Sequence, residues 1–304
     1  MMQKLIEALR EAAGAQCILE QESMKKHTTF RIGGPADIFA VPDTIEKAAK
    51  IIGICRDQKV PFYVIGNGSN LLVSDQGYRG VVVQVYKNLS AIEIKGDIIT
   101  AQAGAMLSVI AKKAMAASLT GFEFASGIPG TVGGAAVMNA GAYGGEMKQV
   151  LTEVTVLTRE GELRRIPSEE LKLGYRYSVI PEKGWIVLEA KLKLHRGDYD
   201  MIKARMDELK EKRVEKQPLE LPSAGSTFKR PEGYFAGKLI MDAGLRGFSV
   251  GGAQVSEKHC GFVVNVGRAT AEDVCGVISH VQQVVFEKFG RKLEPEIRFL
   301  GFDR

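Results

Sequence analysis

Apolar residues recur at helical and strand spacings along the first eighty residues. The opening stretch MMQKLIEALREAAGA places Leu5, Ile6 and Leu9 on one face of a predicted helix. ADIFAVP alternates as a strand does, and PFYVIG is a second short strand. Between them, DTIEKAAKIIGICRDQ has helical spacing, with Asp43 as its predicted N-cap. Residues 1–80 are therefore predicted to form an α/β unit.

Strand patterns dominate the next part of the chain. GVVVQV, AIEIKGDIITAQAG, VLTEVTVLT and WIVLEAKLKL read as strands, and a helix is predicted near residues 106–118. The charged helix DYDMIKARMDELKEKRVEK then leads to a region with helical GYFAGKLIMDAG, the strand GFVVNVG and a helix from Thr270 to Phe289. The inner face of that last helix is predicted to carry Val274, Val277, Ile278, Val281 and Val285. The predicted domains are 1–80, 81–197 and 198–304.

Small residues follow the second predicted strand, in VIGNGSNLLVSD. Glycines let backbone N–H groups face an anion without a side chain in the way. A P-loop would need Lys-Ser/Thr after its last glycine, and a dinucleotide fingerprint would need G-x-G-x-x-G at the start of a helix. Here Gly68 leads instead into the extended stretch SNLLVSD. On this stretch alone, a phosphate cradle and an ordinary turn both remain open.

A second glycine-rich segment covers residues 125–146 and contains almost no charge. Its seven glycines are Gly127, Gly130, Gly133, Gly134, Gly141, Gly144 and Gly145. A disordered linker would be rich in polar residues, whereas this segment includes apolar Ile128, Val132, Val137 and Met138. The two segments are predicted to form two walls of one pocket, which suits a ligand with a diphosphate and a flat ring.

Composition narrows the class of protein. The 304 residues are 45% hydrophobic and 25% charged, with a net charge of +5 from dispersed basic residues. These values predict a globular protein that does not bind nucleic acid. The four cysteines form no C-x-x-C pair and have no zinc-binding spacing with the histidines, which predicts a reduced, cytoplasmic protein without a metal site. No signal peptide or membrane-spanning run is predicted.

Six ordered motifs carry a resemblance to a known family. HTTFRIGGPAD, VIGNGSNLLVSD, GFEFASGIPGTVGGAAVMNAGAYGGE, GYRYS, AGSTFKRP and LEPEIRFLG extend over nearly the whole chain. In this order they resemble the UDP-N-acetylenolpyruvoylglucosamine reductases. The resemblance implies an α+β protein with an FAD-binding fold of the vanillyl-alcohol-oxidase (PCMH) type in two α/β subdomains, plus a C-terminal α+β substrate-binding domain. It also implies non-covalent FAD, NADPH as electron donor, UDP-N-acetylglucosamine enolpyruvate as substrate, and no obligate protein partner.

The same resemblance implies which residues hold the flavin. The diphosphate is expected along the first glycine turn and the ring against the second glycine-rich segment. The cofactor-binding residues so implied are Ile65, Gly66, Asn67, Gly68, Ser69, Asn70, Gly127, Ile128, Gly130, Gly133, Gly134, Asn139, Gly141 and Ala142.

Three residues are implied in catalysis. Hydride addition to the enolpyruvyl group places charge on the carbon that bears the carboxylate, so a cation and a positioned acid are needed. The resemblance implies Arg176 at the carboxylate, Ser226 as proton donor and Glu296 as an orienting or protonated carboxyl. The residues alone leave other roles open: Arg176 stacked on a tyrosine, Ser226 as a turn or cap serine, and Glu296 paired with Arg298.

Substrate contacts are expected around the same motifs. The implied residues are Tyr175, Lys229, Arg230, Gln254, Lys258 and His259. His259 fits a core histidine equally well. Only 49 residues separate Arg176 from Ser226, so the chain is expected to belong to the shorter subclass, which lacks an extra tyrosine loop over the substrate.

Two other classes of function remain open. One is an FAD-dependent sugar or alcohol oxidase of the same fold; many of these attach flavin to His or Cys, and the glycine-rich segments contain neither. The other is a non-catalytic flavin- or nucleotide-binding protein, in which Arg176, Ser226 and Glu296 would have no reason to converge.

Overall fold

The structure is a computed structural model, and it describes residues 2–302. The helices are α1 (Met2–Ala13), α2 (Ile45–Asp57), α3 (Leu107–Ala116), α4 (Val132–Met138), α5 (Tyr199–Lys216), α6 (Ala236–Asp242) and α7 (Ala271–Phe289). The strands are β1 (Ile18–Ser23), β2 (Pro35–Ala40), β3 (Phe62–Ile65), β4 (Leu71–Val73), β5 (Tyr78–Gln84), β6 (Ile92–Lys95), β7 (Ile98–Gln102), β8 (Leu119–Thr120), β9 (Gly141–Ala142), β10 (Gly145–Glu146), β11 (Leu151–Leu157), β12 (Leu163–Pro167), β13 (Ile186–Lys193), β14 (His195–Arg196), β15 (Ser223–Ser226), β16 (Ser249–Val250), β17 (Ala253–Val255), β18 (Phe262–Asn265) and β19 (Arg298–Leu300).

The chain folds into two compact units, each built from several stretches of sequence. Unit 1 takes the chain up to Glu20, then Ile38–Asn67 and Gly80–Arg213. Unit 2 takes Gln21–Asp37, Gly68–Arg79 and the chain from Val214. The division into 1–80, 81–197 and 198–304 stays a prediction.

Unit 1 is organised around an antiparallel sheet of five strands in the order β12-β11-β13-β7-β6. Along β11 and β13, apolar side chains such as Val154 and Ala190 are buried, as the alternating pattern predicts. Helix α1 packs on α2. The predicted inner faces of both helices are confirmed, since their apolar residues are buried: Leu5, Ile6, Leu9, Ala48, Ile51, Ile52 and Cys55.

Unit 2 contains an antiparallel sheet of four strands in the order β15-β18-β17-β16, with α7 packed against β17 and β16. The predicted inner face of α7 is confirmed, because all five of its predicted core residues are buried. Strands β4 and β19 pair in parallel, with Leu72 opposite Phe299. This pairing places the residues just before β19 beside the residues just before β4.

The start of α2 differs from the prediction. The N-cap is Thr44, whose hydroxyl accepts from the N–H of Lys47 at 3.1 Å, so the prediction of Asp43 is wrong. The Asp43 carboxylate instead pairs with the Lys47 ammonium at 2.8 Å. A threonine hydroxyl is an effective N-cap acceptor, and Asp43 then lies four residues from Lys47, a spacing that suits an ion pair.

The N-terminus of α7 is capped from a distant part of the chain. The Asp75 carboxylate accepts from the N–H groups of Ala271 and Glu272 at 3.0 and 3.1 Å, and Thr270 accepts from Asp273 at 3.0 Å. The Thr270 N–H donates to Asp273 Oδ2 at 2.9 Å, so all four N–H groups that a helix leaves unpaired at its start are satisfied.

Replacing Asp75 is expected to destabilise the protein. Asp75→Ala should lower the free energy of unfolding by about 1 kcal/mol, because two N–H groups lose an anionic acceptor at the positive end of the helix dipole. Thermal unfolding measures the effect. The control is Asp207→Ala, which removes only an exposed ion pair with Lys203 and should change stability by less than about 0.5 kcal/mol. Equal losses in both variants would contradict the capping role.

Among residues 2–302, the helices are too short or too polar to cross a membrane.

Candidate active site

Backbone N–H groups without a protein partner occur at the turn after β3. In the part of the chain that the structure describes, the N–H groups of residues 66–70 donate no hydrogen bond. The carbonyl oxygens of Ile65 and Gly68 accept from Val85 and Thr29 at 2.8 and 3.2 Å. Successive N–H groups in a turn form a site for an anion, and these residues are partly or fully buried. The turn therefore has donors available for a ligand.

Glycine at positions 66 and 68 is required by the protein's own atoms. A Cβ on Gly66 would overlap the side chain of Thr131, and a Cβ on Gly68 would overlap the carbonyl oxygen of His27. Gly68 also has φ of +63°, which favours glycine. On the sequence of this stretch alone, a phosphate cradle and an ordinary turn both remained open as reasons for its small side chains. At these two positions, close packing within the protein explains them.

The first glycine-rich segment, as far as Asn67, lies beside the second one in unit 1. The Asn67 side-chain amide donates to the carbonyl oxygen of Pro129 at 2.7 Å. Gly133 packs so closely on Ala103 that an added Cβ would stand 2.7 Å from the alanine Cβ. Gly134 differs, because the nearest atom to an added Cβ there is Thr131 Oγ1 at 3.7 Å. Gly134 is thus a position where protein packing does not demand glycine.

Asn139 has a structural role that its sequence context did not indicate. It ends α4 in the left-handed conformation, with φ of 42°. Its buried side chain donates to Glu146 Oε2 and to the carbonyl oxygen of Gly174, each at 2.9 Å, and accepts from the N–H of Lys148 at 2.8 Å. Both amide hydrogens are therefore used within unit 1, where they tie α4 to the loop that carries Arg176.

Arg176 sits at a tight turn in unit 1. Gly174 and Tyr177 exchange backbone hydrogen bonds of 3.1 and 3.2 Å across the turn, and Arg176 has φ of +52°. Its guanidinium lies 5.3 Å from the centroid of the Tyr175 ring and donates to the Gly141 carbonyl oxygen at 3.3 Å. Positive φ is costly for a residue with a Cβ, and such strain is found most often at functional sites.

Ser226 is exposed at the end of β15 in unit 2, directly after a β-bulge. Ser223 pairs with Val264 and Ser226 with Phe262, so β15 has one residue more than its partner between these pairs. Gly225 adopts φ of +79° within the bulge, and an added Cβ would meet no atom within 4 Å. Bulges redirect side chains and are common beside active sites. The glycine is needed for its backbone angle rather than for space.

Glu296 and Ser226 are brought together by backbone pairing within unit 2. The N–H of Glu296 donates to the carbonyl oxygen of Thr227 at 2.8 Å, and Lys229 N–H donates to Glu294 O at 2.9 Å. Glu296 is half-buried. Glu294 instead lies in an exposed pair with Lys229, Nζ to Oε2 3.1 Å. Both glutamates are paired with residues 227–229, and Glu296 is the one paired with the residue next to Ser226.

The predicted substrate-binding residues other than Tyr175 lie in unit 2, and most of them have protein contacts. Arg230 lies 4.4 Å from the centroid of the Phe235 ring. Gln254 donates to the Gly247 carbonyl oxygen at 3.2 Å, and the Lys258 ammonium donates to Val214 O at 2.7 Å. Gln254 and Lys258 use one donor group each in these contacts, and both side chains carry more N–H groups than one.

His259 accepts from the Gly261 N–H through Nδ1 at 3.1 Å, and its ring meets Phe262 edge-on at 5.1 Å. Burial lowers the pKa of His259, which keeps the imidazole neutral at pH 7. The sequence left open a structural role for His259 in the core. An imidazole with one nitrogen used as an acceptor of a backbone N–H fits that role.

Arg213, in α5, is a half-buried cation that the sequence did not single out. Its side chain crosses the second glycine-rich segment, where an added Cβ on Gly127 would lie 3.0 Å from Arg213 Cδ. Burial lowers the pKa of Arg213, and nearby Tyr143 partly offsets this shift. The run of charges along α5 gives no signal that separates Arg213 from its exposed neighbours.

Known proteins match this chain over both units. A family model described as "FAD binding domain" matches residues 36–167, and one described as "UDP-N-acetylenolpyruvoylglucosamine reductase, C-terminal domain" matches residues 217–300. The UDP-N-acetylenolpyruvoylglucosamine reductase of Agathobacter rectalis is 58% identical over 313 aligned residues, which cover 99% of each chain. This chain belongs to the UDP-N-acetylenolpyruvoylglucosamine reductase family. The reductase of Caldanaerobacter subterraneus subsp. tengcongensis is 54% identical over 301 residues, again with 99% of each chain covered.

A solved member of the reductase family has the same fold. The crystal structure of the Thermus caldophilus enzyme, 37% identical, covers 93% of this chain and 98% of its own, with a TM-score of 0.80. The predicted fold class is confirmed: α+β, with an FAD-binding fold of the vanillyl-alcohol-oxidase type and the C-terminal domain of the family.

The residues present fit FAD. Within unit 1, the N–H groups of Gly66 and Asn67 supply donors for a diphosphate, and the open side of Gly134 leaves room for a ligand against α4. Among residues 2–302, no group of three His, Cys, Asp or Glu side chains is arranged to hold a metal ion.

Substitution of Gly134 by alanine should change FAD binding without reducing the stability of the fold. Gly134→Ala should leave the stability of the flavin-free protein unchanged or raise it by up to about 1 kcal/mol, because alanine favours the helix. It should weaken FAD binding at least about tenfold if the flavin lies against this position. Fluorescence titration with FAD and thermal unfolding measure the two effects. Gly133→Ala is the comparison, and it should destabilise the flavin-free protein. Unchanged FAD affinity in Gly134→Ala would remove Gly134 from the flavin site.

Proposed function

We propose that this protein reduces UDP-N-acetylglucosamine enolpyruvate to UDP-N-acetylmuramate, with non-covalent FAD and NADPH. Family membership supports the reaction. The observation on this chain that supports it best is the backbone pairing that holds Glu296 beside the segment of Ser226. A non-catalytic binding protein would have no need for this pairing next to an exposed serine.

The chain's own residues must bind the substrate carboxylate. FAD bound at the glycine-rich segments would supply the hydride chemistry that links NADPH to the terminal vinyl carbon of the substrate. Arg176 would hold the carboxylate with two parallel hydrogen bonds and stabilise the charge that develops on the neighbouring carbon. Its position at a strained turn, braced by the Gly141 carbonyl and the Tyr175 ring, supports this role because the guanidinium is oriented before substrate binds.

Ser226 would donate the proton to the carbon that bears the carboxylate. The carbon being protonated is strongly basic, which allows a hydroxyl to act as the acid. Ser226 is exposed after the bulge and can reach a ligand. Glu296 would orient the substrate or a water molecule near Ser226, and its half-buried position next to Thr227 supports this assignment over the exposed Glu294.

The substrate would also contact Tyr175 and the cationic side chains of unit 2. Tyr175 is 54% exposed, so a ligand can reach part of its side chain. Lys229, Arg230 and Lys258 would bind the diphosphate of the nucleotide sugar, because their positive charges complement its negative charge. Gln254 would offer its amide oxygen. The neutral His259 has Nδ1 occupied, so only its Nε2 remains for a ligand.

A cytoplasmic location is part of this proposal. Within residues 2–302 the four cysteines are free thiols, which suits a reducing compartment.

Substrate-dependent NADPH oxidation tests the proposed function. Under nitrogen, NADPH consumption should require UDP-N-acetylglucosamine enolpyruvate, and the product should gain about two mass units because one hydride and one proton are added. An oxidase of the same fold would instead consume oxygen with a sugar or alcohol and would need no NADPH. Oxygen uptake without NADPH would overturn the reductase proposal in favour of the oxidase.

A further inference from the structure

Thr227 joins three segments of unit 2. It is buried, with 1% of its surface exposed. Its N–H donates to Gly261 O at 2.8 Å, its carbonyl oxygen accepts from Glu296 N–H at 2.8 Å, and its hydroxyl oxygen accepts from Val263 N–H at 2.9 Å. The residue that follows Ser226 is therefore bonded both to β18 and to the segment of Glu296.

The hydroxyl of Thr227 accepts a backbone N–H that lies opposite the bulge in β15. Strand β15 shifts register between Ser223 and Ser226, and Val263 is the β18 residue opposite this shift. A strand residue opposite a bulge loses a regular ladder partner, and a buried N–H without an acceptor is costly. The Thr227 hydroxyl takes the place of the missing partner. It fixes the end of the bulge, and with it the direction of Ser226.

The backbone pairing to Glu296 depends on the same residue. The Thr227 carbonyl oxygen can meet the Glu296 N–H only while the segment after β15 keeps its place on β18. Movement of Thr227 would therefore shift Ser226 and Glu296 together.

We propose that Thr227 is a positioning residue, whose side-chain hydroxyl sets the geometry of Ser226 and Glu296 for the protonation step. This inference rests on the proposed roles of Ser226 and Glu296. It assigns Thr227 no contact with the substrate.

The test compares Thr227→Val, which keeps the shape and removes the hydroxyl, with Thr227→Ser, which keeps the hydroxyl. Flavin bleaching by NADPH and its recovery with UDP-N-acetylglucosamine enolpyruvate are followed anaerobically by stopped flow. Thr227→Val should bleach within about twofold of wild type and recover about 10- to 100-fold more slowly, because small misplacements of reacting groups are costly. Thr227→Ser should recover within about threefold of wild type.

The matched control is Thr158→Val in unit 1. The Thr158 hydroxyl also accepts a backbone N–H, from Glu162 at 3.2 Å, and Thr158 is equally buried. Both flavin steps should keep their wild-type rates in Thr158→Val. Thr227→Ala replaces Thr227→Val in the comparison if the valine variant fails to retain flavin.

Amide hydrogen exchange gives a second readout that does not depend on the reaction. Exchange at Val263 and Glu296 should accelerate at least about tenfold in Thr227→Val and stay at the wild-type rate in Thr227→Ser. Unchanged exchange, wild-type recovery in Thr227→Val, or equal slowing in the valine and serine variants would each overturn the positioning role. If the substrate fails to restore colour even in wild type, the proposed function fails, and exchange alone still decides whether the hydroxyl holds these segments.

Discussion

Ser226→Ala should bleach with NADPH at the wild-type rate and recover its colour much more slowly when the enolpyruvyl substrate is added. Hydride transfer from NADPH does not need the serine, whereas protonation of the carbon that bears the carboxylate does. A positioned general acid contributes about 10²- to 10⁴-fold, so the recovery should slow by a factor in this range. Anaerobic stopped-flow absorbance of the flavin measures both steps separately.

The control for this variant is Ser223→Ala on the same strand. It removes a hydroxyl that accepts only a long contact, 3.4 Å, from the N–H of Gly225. Both flavin steps should stay near wild type in this control. If Ser226→Ala slows both steps equally, Ser226 is not the acid, because a uniform loss indicates damage to the site as a whole.

Arg176→Gly should lose about 10²- to 10³-fold in kcat/KM for the enolpyruvyl substrate while the fold stays intact. Glycine adopts the φ of +52° without a Cβ penalty, so the free energy of unfolding should stay the same or rise. Arg176→Lys keeps the charge but not the planar fork, and its activity should lie between that of wild type and that of the glycine variant. Steady-state kinetics and thermal unfolding provide the two measurements.

Arg268→Gly is the matched control for this substitution. Arg268 is an exposed arginine with φ of +54°, so the variant removes the same charge and the same backbone strain at another place. It should keep wild-type activity. Equal activity losses in the two glycine variants, or a wild-type kcat/KM in Arg176→Gly, would contradict the role of Arg176 at the substrate carboxylate.

Helical periodicity made much of the fold predictable. The inner face of α7 follows from apolar residues spaced three and four apart. Thr270 begins this helix, and it forms a capping box with Asp273, three residues further on. The N-cap of α2 was harder to predict, because Asp43 and Thr44 are both good capping residues and the pairing of Asp43 with Lys47 decides between them. Helix α4 was not predicted, since glycine disfavours helix and its partners lie far away in sequence.

The candidate site was only partly visible in the sequence. Motif resemblance identified Ser226 and Glu296, but their proximity depends on the pairing of distant backbone segments. The redirection of Ser226 arises from a register shift, which a strand pattern does not record. Thr227 was missed because nothing in its sequence context shows the backbone N–H that its hydroxyl meets. Its hydrogen bond to Val263 becomes meaningful only once the bulge is known.

Anaerobic recovery of the flavin colour in the wild-type protein is the most direct test of whether it reduces the enolpyruvyl substrate. The FAD-loaded protein is bleached with one equivalent of NADPH, and UDP-N-acetylglucosamine enolpyruvate is then added without oxygen. The proposed reaction predicts that the flavin absorbance returns and that UDP-N-acetylmuramate forms in equal amount. Recovery only after oxygen is admitted would contradict the reductase function and leave the FAD-binding fold without its proposed substrate.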